Sequence, residues 1–492
     1  MSDLMLPAAE RKELWRRLIA AVESYAEGVG QARVAPLLDP AELRELLGRF
    51  DFKVPVEPPA ALDFALDGLW RHQVHTPHPR YFGLFNPAPT TLGVAADTLV
   101  AAFNPQLAVW SHNPFAAEVE QHLVRALAGR FGYPPEQSEG TLTSGGAEAN
   151  HTALAVALLA SFPEVGRRGL LALRGQPVLY VSAQAHHSFL KAARLTGLGT
   201  EAVREVGVDG ALRMKPGQLA ARISDDRARG MLPFLVVGTA GTTCAGAVDP
   251  IAALAEIAEQ ERLWLHVDAA WGGAAALVPE LAPLLSGVER AGSITFDAHK
   301  WLSVPMGAGL YLTRQRGVLE RTFRVAAGYM PLDGAGLPVA DPYAHSMQWS
   351  RRFIGLKLFL SLAVAGWAGY EAAIRHQTAM GDRLRVRLAE EGWVVVNDTP
   401  LPLVCFVGGC EEGRSAAYLS AIAAHVVGSG EAWVSNVDLG ELGPALRACI
   451  TNFRTGPGDV DALVASLGGA RERVGGTAGR LREGAAAVRS AD

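Results

Sequence analysis

The sequence has little of what announces most specialised chemistries. Only four cysteines, Cys244, Cys405, Cys410 and Cys449, occur in 492 residues. None has the paired spacing that builds a zinc site or a disulfide framework, so no metal is expected and a reducing, cytoplasmic setting fits best. Charge of either sign is scarce. With 45 Lys and Arg against 50 Asp and Glu, the net charge is −5, which gives no electrostatic reason to expect nucleic acid or an anionic membrane as partner. No long apolar run is present. The longest uncharged stretch, residues 98–117, is broken by Asn104, Pro105, Gln106, His112, Asn113 and Pro114, too polar for a transmembrane helix. Residues 1–17 carry mixed charge without an apolar centre, unlike a secretory signal. A small-molecule partner is the remaining expectation.

What is present is apolar and long. Hydrophobic residues make up 49% of the chain, which excludes disorder as the dominant state, and at about 150 residues per domain the length suggests roughly three units. Leu14, Leu18, Val22 and Tyr25 recur at helical spacing and predict an amphipathic first helix ending near Gly28 and Gly30. Residues 54–59 read as an extended proline-rich arm and 62–71 as a further helix, making 1–80 an N-terminal helical appendage. From about residue 100, helices alternate with short apolar runs at 178–181, 234–237, 264–267, 293–296 and 309–312. That pattern predicts an α/β unit over 81–350 whose parallel sheet is covered on both faces, with ligands beyond the carboxyl ends of the strands. Residues 351–469 predict a smaller α+β domain, with helices to about 390, including 356–367, and strands at 393–396, 403–407 and 448–453. The segment 470–492 reads as a frayed helix or a disordered tail.

Several strand ends carry a chemically distinctive group. Thr143-Ser144-Gly145-Gly146-Ala147-Glu148-Ala149-Asn150 precedes an apolar helix over 153–162. Small residues admit close backbone approach, and a helix N-terminus favours negative charge, so the segment suits a phosphate; taken alone it is equally an ordinary capped helix start. It lacks the lysine of a P-loop and the GxGxxG spacing. His186 and His187 follow the 178–181 run. Asp268 ends Trp264-Leu265-His266-Val267, where a carboxylate needs a cationic partner or serves as a helix cap. Lys300 follows Ser293-Ile294-Thr295-Phe296-Asp297-Ala298-His299, and partial burial would favour its nucleophilic neutral form. Together these groups match pyridoxal phosphate: an anion cradle, an imidazole to stack, an acid for the ring nitrogen and a lysine for the aldehyde. His72, His75 and His78 recur at a three-residue spacing, but Pro77 interrupts a helix there and no metal site is assigned.

With these residues the chain resembles the fold-type I group II amino-acid decarboxylases, which include aromatic-L-amino-acid and glutamate decarboxylases. The likeness spans about residues 60–465 and is carried most specifically by Trp264-Leu265-His266-Val267-Asp268-Ala269-Ala270-Trp271 and Asp297-Ala298-His299-Lys300-Trp301. The resemblance implies a mainly parallel seven-stranded sheet in the large domain, pyridoxal 5'-phosphate as cofactor and a homodimer with shared active sites. It implies that Lys300 takes the aldehyde, His186 stacks on the ring and Asp268 pairs with its nitrogen. Gly146 and Ala147 would hold the phosphate, with Asp297, Ser293 or His299 close by; Thr243 would lie near the ring oxygen, with Ala270 beneath the ring. The family has Asn-Pro or Asp-Pro before its His-Lys pair, whereas Asp297-Ala298 stands here, which sets a carboxylate against the phosphate.

Residues 330–351, with Asp333-Gly334-Ala335-Gly336, Pro338, Asp341, Pro342, Tyr343 and His345, read as a turn-rich lid. Tyr343 is the nearest match to the family's Cα proton donor, which favours plain decarboxylation, and His345 is the other candidate. Tyr81 and Phe82 in His78-Pro79-Arg80-Tyr81-Phe82-Gly83, with Trp110, Gly355 and Arg447, are the substrate-pocket candidates. Aromatic walls favour an aromatic amino acid; Arg80 would serve an acidic one. The implied reaction releases the amine and CO2. Aldehyde synthesis, C–C lysis, acidic amino-acid decarboxylation and a catalytically silent regulatory homologue remain open on the residues alone.

Overall fold

The computed structural model describes residues 4–37, 39–325 and 339–489. The apolar runs fold as strands: β1 (Glu139–Thr143), β2 (Pro177–Ser182), β3 (Val203–Val206), β4 (Leu232–Thr239), β5 (Trp264–Asp268), β6 (Ser293–Asp297) and β7 (Gly309–Thr313). They form one seven-stranded sheet in the order β1-β7-β6-β5-β4-β2-β3. β7 runs antiparallel to both its neighbours, and the remaining pairings are parallel. Alternation along β4 sends Val236 into one hydrophobic core and Leu235 and Val237 into the other, as a sheet covered on both faces requires. The carboxyl ends of the six like-directed strands therefore share one edge, and the candidate chemistry lies along it.

Helices α1 (Ala8–Gly28), α2 (Pro58–Arg71), α3 (Thr91–Phe103), α4 (Pro114–Arg130), α5 (Gly146–Ser161), α6 (Ser188–Leu195), α7 (Gly355–Glu390) and α8 (Pro457–Arg489) supply most of the packing. α2 begins at Pro58, inside the expected extended arm, because proline is preorganised for the first helical turn. α7 reaches Glu390, as expected, and is interrupted at Gly366, whose φ of 62° and ψ of 176° are not helical, so that one helical piece ends close to the expected 367. α8 carries the tail as helix to Arg489.

The small domain holds an antiparallel sheet of β8 (Trp393–Val395), β9 (Leu403–Gly408), β10 (Ser435–Asp438) and β11 (Pro444–Cys449), ordered β8-β9-β11-β10. β11 lies earlier than the expected 448–453. The chain leaves the sheet after Cys449, and Asn452 turns its amide to the carbonyls of Pro77 and His78. Residues 77–83 are thereby fastened to this domain, with Phe82 N–H donating to Trp433 O at 2.9 Å and Cys449 N–H to Phe82 O at 2.9 Å. The N-terminal segment is fastened there too: Arg33 donates to the carbonyls of Gly428 and Ser429. α1 meets α2 through Tyr25 and Trp70 but leaves Trp15, Ile19 and Val22 exposed. Among the described residues, no helix is long and apolar enough to cross a membrane.

One buried ion pair ties α4 to the start of α7. Arg351 Nη1 donates to Glu120 Oε1 at 3.0 Å, and both side chains are at least 95% buried. The same oxygen accepts the Gly355 N–H at 3.0 Å. Removing one partner strands a buried charge. Arg351→Ala is expected to cost about 3–5 kcal/mol, whereas the apolar pair Glu120→Leu with Arg351→Met costs far less. Denaturant unfolding midpoints of the three proteins check this.

Candidate active site

Five segments at the carboxyl edge converge on one cavity. It is lined by Gly146, Ala147 and Asn150 at the head of α5, His186 after β2, Thr239, Gly241 and Thr243 at the end of β4, Asp268, Ala270 and Trp271 after β5, and Asp297 and Lys300 after β6. Groups separated by more than 150 residues meet because each follows a parallel strand.

Lys300 Nζ lies 3.0 Å from Asp297 Oδ2, with Asp297 almost fully buried. The expected neighbour of a phosphate is thus first the counter-ion of the lysine. Asp297 Oδ2 also stands 2.7 Å from where a Cβ on Gly146 would sit, and Ala270 Cβ is 3.3 Å from that point. Only glycine permits this approach of α5 to the cavity floor. The first amides of α5, those of Gly146 and Ala147, have no partner within the helix by its geometry. His299 Nδ1 accepts the Ala308 N–H at 3.2 Å, which leaves its proton on Nε2, 3.9 Å from Asp297 Oδ2. Burial lowers the His299 pKa, opposed by the Asp297 charge. His186 likewise accepts on Nδ1, from Ser188 N–H at 3.2 Å; desolvation lowers its pKa, and the charge of Asp268 works the other way.

Asp268 is 5% exposed. Its Oδ1 accepts the Ala270 N–H at 3.1 Å and its Oδ2 the Asn150 amide at 2.7 Å. Phe85 completes the mouth of the cavity: it stacks on Trp271 at 4.6 Å, with Lys300 Nζ 5.8 Å and Arg447 Cζ 4.8 Å from its ring centre. Arg447 is buried, donates to the carbonyls of Thr243 and Gly83, and keeps Nη2 without a hydrogen-bond partner. Thr239 Oγ1, Trp271 Nε1 and Asp297 Oδ1 are also buried and unpartnered. Four such atoms around one cavity are the mark of a polar ligand. A pyridoxal phosphate fits these groups: amides and His299 for the phosphate, Asp268 for the ring nitrogen, Ala270 at the floor and Lys300 for the aldehyde.

Other sequence candidates fall elsewhere. Ser293 is at the opposite end of β6 from Asp297, bonded to Trp264 and His266, and so cannot reach the α5 cradle. Phe82 is fully buried between the small domain and the large core, and Tyr81 packs on Trp433 while accepting the Leu84 N–H; both shape the segment that delivers Phe85 rather than line the cavity. Arg80 lies 3.8 Å from Asp459. His187 does not line the cavity.

Trp110, Tyr343 and Gly355 form a second group around α4. Trp110 N–H donates to Asp341 and its indole to Glu118, Tyr343 N–H donates to Ala108 O and its ring meets Trp349 at 5.2 Å, and a Cβ on Gly355 would strike Glu120. His345 Nδ1 contacts Asp341 O at 2.9 Å. None of these residues lines the Lys300 cavity. Asp333, Gly334, Ala335, Gly336 and Pro338 of the expected lid lie outside the described residues. Phe85, Asn150 and His266 were missed in the sequence. Phe85 is one apolar residue in a run, and the other two acquire meaning from partners on other elements, the Asn150–Asp268 and Asn150–His266 contacts joining residues more than 100 apart.

An anion cradle, a buried acid and a lysine at the carboxyl edge of this sheet define a pyridoxal-phosphate enzyme of fold type I. The family model described as the pyridoxal-dependent decarboxylase conserved domain matches residues 50–408, and the chain belongs to that family; it is a pyridoxal-phosphate-dependent amino-acid decarboxylase. It is 30% identical over 460 residues to an aromatic-L-amino-acid decarboxylase of Bacillus atrophaeus, covering 92% of this chain and 94% of that one. It is 30% identical over 370 residues to the acidic amino acid decarboxylase GADL1 of Bos taurus, covering 75% and 70%. Among solved structures, mouse CSAD superposes with a TM-score of 0.87 at 26% identity over 94% of this chain and 98% of that one. TDC of Oryza sativa, solved with PLP and tryptamine, superposes at 0.90 and 24% identity over 96% and 99%, a likeness of fold.

The buried imidazoles carry a pH signature. Burial pushes the pKa of His266 and of His78 down to about 4, from an ordinary 6.5. Unfolded chains take up these protons below pH 6.5 and the native state does not, so stability is full above 6.5 and falls as the pH drops toward about 4. Unfolding midpoints measured across that window should fall, and His266→Gln should flatten the decline.

Proposed function

We propose that this enzyme decarboxylates an aromatic L-amino acid, releasing the amine and CO2. The observation that carries the reading is the cavity itself, in which Lys300, Asp297 and Asp268 lie with Trp271, whose ring stacks on Phe85 beside the lysine amine. Bound pyridoxal phosphate supplies a sink for the electron pair released when a bond at the substrate's Cα breaks. In the reading, Lys300 takes the aldehyde, Asp268 accepts a hydrogen bond from the ring nitrogen, and His186 packs on the ring opposite Ala270. Gly146, Ala147 and His299 hold the phosphate and Thr243 lies by the ring oxygen. The free Nη2 of Arg447 suits the substrate's carboxylate. The Cα–carboxylate bond breaks and a Cα–H bond forms, so one proton is taken up per CO2, and Tyr343 is its assigned donor.

The aromatic choice rests on Phe85, on Trp271 and on the commitment of Arg80 to Asp459. An acidic substrate is the second reading, favoured by the likeness to the Bos taurus protein. The four free thiols are consistent with the cytoplasmic setting expected from composition.

The Tyr343 group lies apart from the Lys300 cavity within one chain, which supports a homodimer whose partner subunit supplies it. Leu99, Phe103 and Phe115 of α3 and α4 are exposed, as are Trp15, Ile19 and Val22 of α1. Apolar surface of this kind is suited to a subunit interface, with the N-terminal helices as an intertwined arm.

A screen of the proteinogenic amino acids for CO2, ammonia and peroxide should give CO2 and amine from an aromatic substrate, with neither ammonia nor peroxide. Release from Asp or Glu alone establishes the acidic reading, and ammonia with peroxide establishes aldehyde synthesis. Lys300→Ala should abolish both turnover and borohydride-reducible cofactor. Mixing Lys300→Ala with Tyr343→Phe subunits should restore about a quarter of wild-type activity, since half the dimers are hybrids with one intact site each; no recovery rejects shared sites.

A further inference from the structure

We propose that Asn150 and His266 are positioning residues, which hold Asp268 aimed into the cavity through one directed chain of hydrogen bonds; the proposal rests on the reading of Asp268 as the partner of the cofactor's ring nitrogen. The chain begins on the far side of β5. Trp264 Nε1 can only donate, and it does so to Ser293 Oγ at 2.9 Å. The Ser293 hydroxyl still has its hydrogen to give and lies 2.8 Å from His266 Nδ1. The sense of the link is set at the Asp268 end, where the carboxylate takes the Asn150 amide N–H, turns Asn150 Oδ1 to His266 Nε2 and so places the imidazole proton on that nitrogen. An imidazole that accepts on Nδ1 is neutral and carries its proton on Nε2. That nitrogen lies 3.2 Å from Asn150 Oδ1 and 3.2 Å from Thr295 Oγ1. With Oδ1 so engaged, the Asn150 amide nitrogen faces Asp268 Oδ2 at 2.7 Å and Ser188 Oγ at 2.9 Å.

The acceptor-only Asp268 fixes the sense of the links, and the central members are shut off from water: Ser293 and His266 are fully buried, and Asn150 is 1% exposed. Turning the amide over would set its oxygen against the carboxylate and strand two buried groups. Burial, which pushes the His266 pKa down to about 4, keeps the ring in the neutral form that the chain requires. Asp268 then accepts one N–H on each oxygen, from Asn150 and Ala270, which fixes the direction in which its carboxylate points.

The test compares affinity for pyridoxal phosphate with affinity for its deaza analogue, in which carbon replaces the ring nitrogen, using the full-length chain stripped of cofactor and reconstituted. Wild type should prefer the natural cofactor. Asn150→Ala and His266→Phe should each lose that preference by on the order of tenfold or more, while binding the analogue as wild type does. His266→Gln, whose amide supplies one acceptor and one donor, should keep it. The two disruptive variants are read separately, so either suffices if the other fails to fold. Equal weakening toward both ligands, or an unchanged ratio, overturns the proposal. A wild type without preference instead removes Asp268 from its role.

Discussion

The architecture depends on a carboxylate held in an apolar interior. Asp268 ends a strand whose other residues are buried, and an unpaired charge there costs several kcal/mol. The fold meets that cost with the head of α5, which brings Asn150 to one oxygen, and with the turn after β5, which brings the Ala270 amide to the other. The Asn150 donor requires α5 to lie close against the sheet, which is why Gly146 and Ala270 are small where they face each other. The close packing that satisfies the acid also presents helix-terminal amides to a phosphate.

Charge within the cavity is arranged in two compartments. Lys300 and Asp297 pair at the end of β6, while Asp268 takes hydrogen bonds from neutral donors and, among the described residues, has no Lys or Arg within salt-bridge distance. An acid stabilised by dipoles retains its full attraction for a cationic ligand group. An acid paired with arginine would have spent much of it. Asp297, standing where the family has Asn-Pro or Asp-Pro in sequence, lies beside the cradle with the lysine as its partner 3.0 Å away.

The strands at 178–181, 234–237, 264–267, 293–296 and 309–312 were legible because fully buried strands are continuous apolar runs. β1 and β3 were not, since Glu139, Thr141 and Thr143 interrupt one and Arg204 and Glu205 the other. β1 stays buried despite its polarity because Glu139 receives the Gly317 and Leu319 amides. The cavity residues Gly146, Ala147, His186, Asp268 and Lys300 were legible because each follows a strand and carries unusual chemistry for its place. The relay was not: His266 sits inside an apolar run and Asn150 inside a helix, and hydrogen-bond direction is a property of the assembled interior. Tyr343, Trp110 and Gly355 show the converse limit. Their motifs were visible, but sequence order does not say whose cavity a residue serves.

Phe85 belongs to two bodies at once. By backbone hydrogen bonds its segment is a fringe of the small domain, and by ring stacking its tip is part of the large domain's cavity, between Trp271 and the amine of Lys300. A segment of four residues thus runs from Phe82 to Phe85, with its anchor on the small sheet. Strain applied to that sheet, by a crowding mutation, a bound molecule or the arm tied down through Arg33, has a material path to the reacting nitrogen. The small domain serves as the frame in which the aperture of the site is set.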